Sequence, residues 1–294
     1  MQVAFTIVAF GILTASLLSI GAVGFTLQFG MTNVLNLAFG SLMTSSIFVL
    51  YESQQLHIAP WIGVVIAAAW GSLISLALGL GLINPFVKRG TSFFTMAIVT
   101  IAVTLIVQFG LQAIQGPFVL GIANQSGELS FLGIVMSELQ LEIIGLAAVL
   151  MLAVHLGLRY TRLGLQMRAT ASDASLTRTC GVSVRRVRSV AWATSGALCG
   201  VGGALTGLTV GSFDASTGNE FFIILAAAAI IGGVGQPYGA MLGSLVLGMV
   251  AEVAAYFVSP AYNDIIAFGV LIVVLLFRPQ GLFAEYSSGR TLTR

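Results

Sequence analysis

Two glycine-rich interruptions hold the residues of this chain best suited to chemistry. In the first, Phe29-Gly30-Met31-Thr32-Asn33 runs through Asn36 and Phe39 to Gly40-Ser41-Leu42-Met43. In the second, Gly233-Val234-Gly235-Gln236-Pro237 leads into Gly239-Ala240-Met241-Leu242-Gly243-Ser244. A helix that restarts after such a break leaves its first amides without intrahelical partners. Those amides present partial positive charge to a carboxylate or carbonyl oxygen. Asn33, Asn36 and Gln236 add neutral hydrogen-bonding groups, and Glu252 places a carboxylate in an apolar run where charge is costly to hold. The pattern suits recognition of a small polar solute. A structural reading stands beside it: membrane glycines allow close backbone approach and amides bond between helices. A neutral Glu252 can likewise bond inside a bundle.

Other chemistries lack their residues. Cys180 lies in a basic loop and Cys199 in an apolar segment, which gives neither a disulfide framework nor a CxxC metal site, so no metal is expected. Gly233-x-Gly235 lacks the third glycine of a dinucleotide fingerprint. No GxxxxGK[ST] phosphate loop occurs, so the chain cannot bind and hydrolyse ATP by that route. Its energy must come from a partner or an ion gradient.

The elements that position these residues follow from composition. Hydrophobic residues make up 57% and charged residues 7% of the 294, against roughly 25% charged in soluble domains. Mean hydropathy is +1.03, so the fitting solvent is a bilayer. Met1 to Phe10 carries no charge and reads as a retained span, not a signal peptide. With about 20 apolar residues needed per crossing, spans fall near Val3 to Phe25, Val34 to Tyr51, Trp61 to Ile83, Phe93 to Ile114, Leu141 to Leu158, Val190 to Val210, Phe221 to Phe257 and Tyr262 to Phe277. The expectation is an all-α polytopic transmembrane bundle over residues 1–294, with about eight spans and two broken or re-entrant segments. The seventh reads as one helix broken at Gly232 to Pro237. Leu27 to Asn36 is too polar to face lipid and must be buried in protein or line a cavity.

Charge sets an orientation. Lys88 and Arg89, then Arg159, Arg162, Arg168, Arg178, Arg185, Arg186 and Arg188, then Arg278, Arg290 and Arg294 all fall on one face of this map. Glu52, Glu128, Glu138, Glu142, Asp214, Glu220 and Asp264 fall on the other. The positive-inside rule then expects a cytoplasmic C-terminus and an outside N-terminus. Gly196, Gly200, Gly203, Gly207 and Gly211 follow one face of the sixth span, suited to tight packing against another helix. In the basic loop 159–188, Ser172 or Asp173 can cap a short helix through Leu176, Thr177 and Arg178. Gly181 supplies the left-handed stop, with Val182 folding back on Leu176. Such a helix suits docking onto another protein, although a basic loop can also serve only to fix topology.

Asn33-Val34-Leu35-Asn36-Leu37-Ala38-Phe39-Gly40, Arg159-Tyr160-Thr161-Arg162-Leu163-Gly164 with Arg168-Ala169, the Gly181-Val182 stop, Gly232-Gly233-Val234-Gly235 with Gly239-Ala240, and Arg278-Pro279-Gln280-Gly281-Leu282 occur in order over nearly the whole chain. Together they resemble the branched-chain amino acid permease family of ABC importers, which also includes urea and short-amide permeases. The resemblance implies a multi-pass subunit of the bacterial inner membrane, surrounded by lipid, that pairs with a second, similar permease. Two cytoplasmic ATPases would dock through the loop helix, Ala171 to Gly181, and carry the ATP and Mg. A periplasmic binding protein would deliver the solute, and neither a cofactor on this chain nor nucleic acid is implied. Phe39 stands where the family often has histidine, Leu165 where it often has arginine, and Gln236-Pro237-Tyr238 replaces a Ser-x-Pro-like turn. The competing readings are a proton- or sodium-driven secondary transporter and a passive urea or amide channel. The first generally needs ionisable midplane sites, of which Glu252 is the main one here.

Overall fold

A computed structural model describes residues 2–122, 127–131, 134–257, 263–278 and 281–282. Tyr262, Pro279, Gln280, Arg290 and Arg294, used in the sequence reading, lie outside them. The chain runs through α1 (Gln2–Thr32), α2 (Phe39–Gln55) and α3 (Pro60–Ala77), which continues as a π-helical stretch, Leu78–Ile83, into α4 (Asn84–Lys88). Then come α5 (Phe93–Gln115), β1 (Leu120–Gly121), β2 (Glu128–Phe131), β3 (Ile134–Ser137), α6 (Glu138–Tyr160), α7 (Arg162–Ser172) and α8 (Ala174–Thr179). The last part is α9 (Val184–Val210), β4 (Ser212–Phe213), α10 (Thr217–Gly232), α11 (Pro237–Phe257) and α12 (Asn263–Phe277). Among the described residues, six helical stretches are long and apolar enough to cross a membrane; α10 and Ile265–Phe277 are shorter apolar helices. The protein is a multi-pass membrane helix bundle. The strands, absent from the all-α expectation, form two small antiparallel pairs, β1 with β4 and β2 with β3, in the connections between helices.

Helix α9 is the centre of the bundle, because its glycines remove the side chains that would hold neighbours away. Gly196 and Gly200 lie against the backbone of α3 at Gly71 and Ala67, an antiparallel pairing. Gly203 and Gly207 instead meet α2, at Met43 and Ile47, in parallel. The glycine face thus serves two helices in succession, not one. Gly211, with φ 72°, is a left-handed C-cap whose amide bonds to the Gly207 carbonyl.

Three boundaries differ from the sequence reading. First, α1 does not end at Phe25 but continues through the polar stretch to Thr32. Most of its polar groups bond inside protein: Thr32 Oγ1 donates to the Gln28 carbonyl at 2.7 Å, while Gln28 Nε2 has no partner among the described residues. Helix ends at Asn33, whose left-handed φ of 53° and amide bond to the Phe29 carbonyl close the last turn. Second, the second span is helical only from Phe39; residues 33–38 run non-helically, with Asn33 exposed and Val34, Asn36 and Ala38 buried. Third, the seventh span is not one broken helix. Gly232 packs on Gly239 and Gly243 on Ala228, so α10 and α11 fold back antiparallel as a hairpin. Bare glycine on both sides of the turn is what allows that approach.

The hairpin also places the charges. The expectation that about eight spans set every basic residue on one face fails at its last step, because a single seventh pass would put Arg278 at the opposite end from Arg188. With two passes, the described arginines gather at one end, called the basic end below, and Glu52 lies at the other, with Asp214 leading from that side into α10.

Candidate functional site

At the basic end the two interruptions meet. A Cβ on Gly30 would lie 3.0 Å from the Gly235 carbonyl oxygen, and Gly235 itself has φ 92°. Gly233, with φ 109°, closes α10, and the Gln236 carbonyl accepts the Ala240 amide to start α11. The C-terminal motif completes the same corner: Leu282 N–H donates to the Ile231 carbonyl at 2.8 Å, and Gly281 packs against Gly233. Beside this corner lies a cavity of about 400 Å³ bordered by Gly30, Met167, Arg168, Gly235, Gln236 and Tyr238. Asn33 borders a neighbouring cavity of about 480 Å³ with Ala171, Ser172 and Asp173.

The other predicted pathway residues lie elsewhere. Asn36 is 2% exposed; its Nδ2 donates to Gln28 Oε1 at 3.4 Å and its Oδ1 accepts the Ala38 amide at 3.2 Å. Phe39 is 1% exposed and packs in an aromatic cluster, its ring centroid 5.8 Å from that of Phe25 and 5.9 Å from that of Phe222. Glu252 is near the far end of α11, where Oε1 accepts a 2.7 Å hydrogen bond from Thr14 and ties α11 to α1. The structure therefore sets Gly235 and Gln236 on one cavity, with Gly233 at the hairpin turn beside it and Asn33 on the neighbouring cavity, while Asn36 and Phe39 lie at the start of α2 and Glu252 lies apart from both.

The deepest helix starts belong to α2 and α10. Phe39 sits beside Cys199, whose thiol donates to its carbonyl at 3.4 Å. Cys199 is about 22 Å along α9 from Val184 and about 16 Å from Val210 at 1.5 Å per residue. Helix α2 therefore begins in the interior of the bundle. Helix α10 begins beside it: Gly40 meets Gly218 and Asn219, and the Gly218 amide donates to Thr44 Oγ1 at 3.1 Å. Asn219 Nδ2 donates to Gln108 Oε1 at 3.1 Å, and Thr100 Oγ1 donates to the Leu35 carbonyl at 3.3 Å. Asp214 organises the approach to α10, accepting the amides of Ser216 and Thr217 at 2.9 Å and both their hydroxyls. Partial burial raises its pKa, but the hydrogen bonds from Thr217 and Ser216 outweigh that and hold the carboxyl below its usual value. The sequence reading missed this pairing because it placed the second dipole at the start of α11. The signal for α10 was Asp214 followed by Ser216 and Thr217, a helix-start pattern.

The basic loop folds as two helices. Asp173 caps α8, accepting the Ser175 and Leu176 amides at 2.8 and 3.0 Å. Gly181, with φ 81°, ends it, and the Val182 amide reaches the Thr177 carbonyl at 3.3 Å. Val182 does not cover Leu176; it packs with Met31, Met167, Val187 and Ala191. Leu176 is left 63% exposed, and Thr177 alone of the helix turns inward.

Fold, basic loop and interrupted helices together define a membrane permease. A family model described as "Branched-chain amino acid transport system / permease component" matches residues 7–275, and the chain belongs to that family. It is similar to the high-affinity branched-chain amino acid transport system permease protein BraD of Pseudomonas aeruginosa, 28% identical over 94% of each chain. It is also 28% identical to the probable branched-chain amino acid transport permease protein LivH of Methanocaldococcus jannaschii, over 92% of this chain and 90% of that one. PsaBC of Streptococcus pneumoniae, solved in complex with Fab, shares the fold with TM-score 0.52 at 11% identity, over 92% of this chain and 91% of that chain.

Proposed function

We propose that the chain is the transmembrane permease subunit of an ATP-binding cassette importer for branched-chain or related amino acids. The observation that carries this reading is the meeting of the α2 and α10 starts inside the bundle. Broken membrane helices use their ends to hold anionic groups; Asp214 and Thr44 take up the Thr217 and Gly218 amides of α10, so the partial positive charge offered at this depth is chiefly that of the α2 start. The chain forms half of the pathway and a second permease the other half, with Asn219, Gln108 and Thr100 near the solute and Asn33, Gly235 and Gln236 at its exit. The basic end is cytoplasmic, the N-terminus is outside, and the membrane is the bacterial inner membrane. Helix α8 is the link to two ATPases that bind ATP and Mg. Its Leu176 offers an apolar contact that the described residues leave open, and a binding protein supplies solute at the other end.

The test is reconstitution of the chain with its permease partner, ATPases and binding protein in liposomes. ATP-dependent leucine uptake is expected, with ATP hydrolysis rising when the binding protein is loaded. Gly181→Val should uncouple hydrolysis from uptake, because a β-branched residue is strained at φ 81°. Intact coupling in that variant refutes the docking role of α8. Uptake that persists without ATP but vanishes with the ion gradient refutes the ATP-driven reading.

A further inference from the structure

We infer that a cavity at the basic end, between the π-helical turn and the start of α9, binds the phosphate headgroup of an anionic phospholipid. The cavity measures about 410 Å³, within the range of about 300–1,000 Å³ usual for small-ligand sites. Arg178, Arg185 and Arg188 border it together with the amide of Asn84, and no carboxylate is among its lining residues. Arg178 from α8 and Arg188 from α9 thus set like charges on one cavity. Arg188 Nε is buried without a hydrogen-bond partner among the described residues. Like charges converging on an unpaired donor favour an anion, and guanidinium forks match phosphate oxygens well.

The remaining wall identifies the rest of the ligand. Leu80, Pro85, Val87, Val182 and Val184 make it apolar next to the arginines. Helix α3, which leads into the π-helical turn, exposes Val65, Trp70 and Leu73 along its length. A lipid running down that face would arrive with its headgroup at the cavity. Basic pockets between membrane helices are a recurrent form of anionic-lipid site. An acidic side chain of the ATPase would satisfy the charge but leaves the apolar wall without a role.

The full-length chain, delipidated in neutral detergent, tests the assignment by binding of dioctanoyl phosphatidylglycerol, dioctanoyl phosphatidylcholine and inorganic phosphate. Phosphatidylglycerol should bind and raise the melting temperature in a salt-sensitive way, and the other two should not. Arg178→Gln and Arg188→Gln should each weaken binding about fivefold, and Arg162→Gln, remote from the cavity, should not. Arg178 is exposed, so its variant will report even if the Arg188 variant fails to fold. Equal binding of inorganic phosphate overturns the lipid assignment. Phosphatidylglycerol binding unchanged in Arg178→Gln, with ATPase association lost instead, overturns it in favour of an acidic protein partner.

Discussion

Gln28→Leu is the most direct test of how the unwound segment at residues 33–38 is held. Gln28 Oε1 accepts from Ser195 Oγ at 3.1 Å and from Asn36 Nδ2 at 3.4 Å, so one buried amide joins α1, the segment and α9. Leucine keeps the volume and removes the acceptor. Two buried donors are then unpaired, at about 1–3 kcal/mol each. Against this, Gln28 Nε2 already lacks a partner among the described residues, and its removal relieves a penalty of the same kind. The Asn36 bond is long and contributes the smaller part. The net expectation is a loss of about 1–3 kcal/mol.

A double-mutant cycle separates this from simple loss of packing. Ser195→Ala removes the stranded hydroxyl, so in the Gln28→Leu background it should restore about 1 kcal/mol, whereas in the wild-type background it should destabilise. Unfolding by SDS in mixed micelles measures both. Hydrogen exchange adds a local readout: the Ala38 amide, held by Asn36 Oδ1, should lose protection in Gln28→Leu before the α9 amides do. Equal stability of Gln28→Leu and wild type, or additivity of the two changes, would refute the account of Gln28 as the anchor.

Glu252→Gln should support near-normal uptake, because an amide oxygen can still accept from Thr14; a folded but inactive variant would sink the structural reading of this carboxylate. Gly200→Ala sets a Cβ 2.9 Å from the Ala67 carbonyl carbon and the Ala68 Cα, and should cost about 1–3 kcal/mol by melting in detergent. Gly145→Ala, with nothing near the added carbon, should instead gain up to about 1 kcal/mol. Asp214→Ala should cost about 1 kcal/mol at neutral pH. The folded-state pKa of Asp214 is depressed, so its contribution is full above the ordinary carboxylate value of about 4 and disappears as pH falls through the folded value. The melting difference between variant and wild type should shrink over that window, and a difference that grows in acid refutes the assignment.

Local backbone rules made part of this molecule legible. Gly181 and Asp173 bound α8 because a left-handed stop and a carboxylate cap are decided within a few residues. Gly211 ends α9 for the same reason. Tertiary partners were not legible. Gln28 reads as too polar for a membrane helix until Ser195, distant in the chain, accepts the role of donor to it. Phe39 opens α2 next to Gly40, and that its ring packs between Phe25 and Phe222 there depends on helices distant in the chain. The glycine ladder announced close packing, but which helix each glycine admits depends on α2 entering the bundle partway along α9.

The α10–α11 turn shows how the two kinds of information combine. Hydropathy alone fuses Phe221 to Phe257 into one long span, since neither half contains a charge before Glu252. Charge alone requires Asp214 and Arg278 at opposite ends, with Asp264 between them, which an odd number of passes after Asp214 satisfies. One broken span followed by α12 gives two passes and fails; a hairpin followed by α12 gives three. The glycines at 232, 239 and 243 then have a physical reason to be there, because they let two antiparallel backbones touch. The same fold brings the start of α10 down beside α2, so the hairpin that reconciles the charges also creates the paired helix starts on which the solute reading rests.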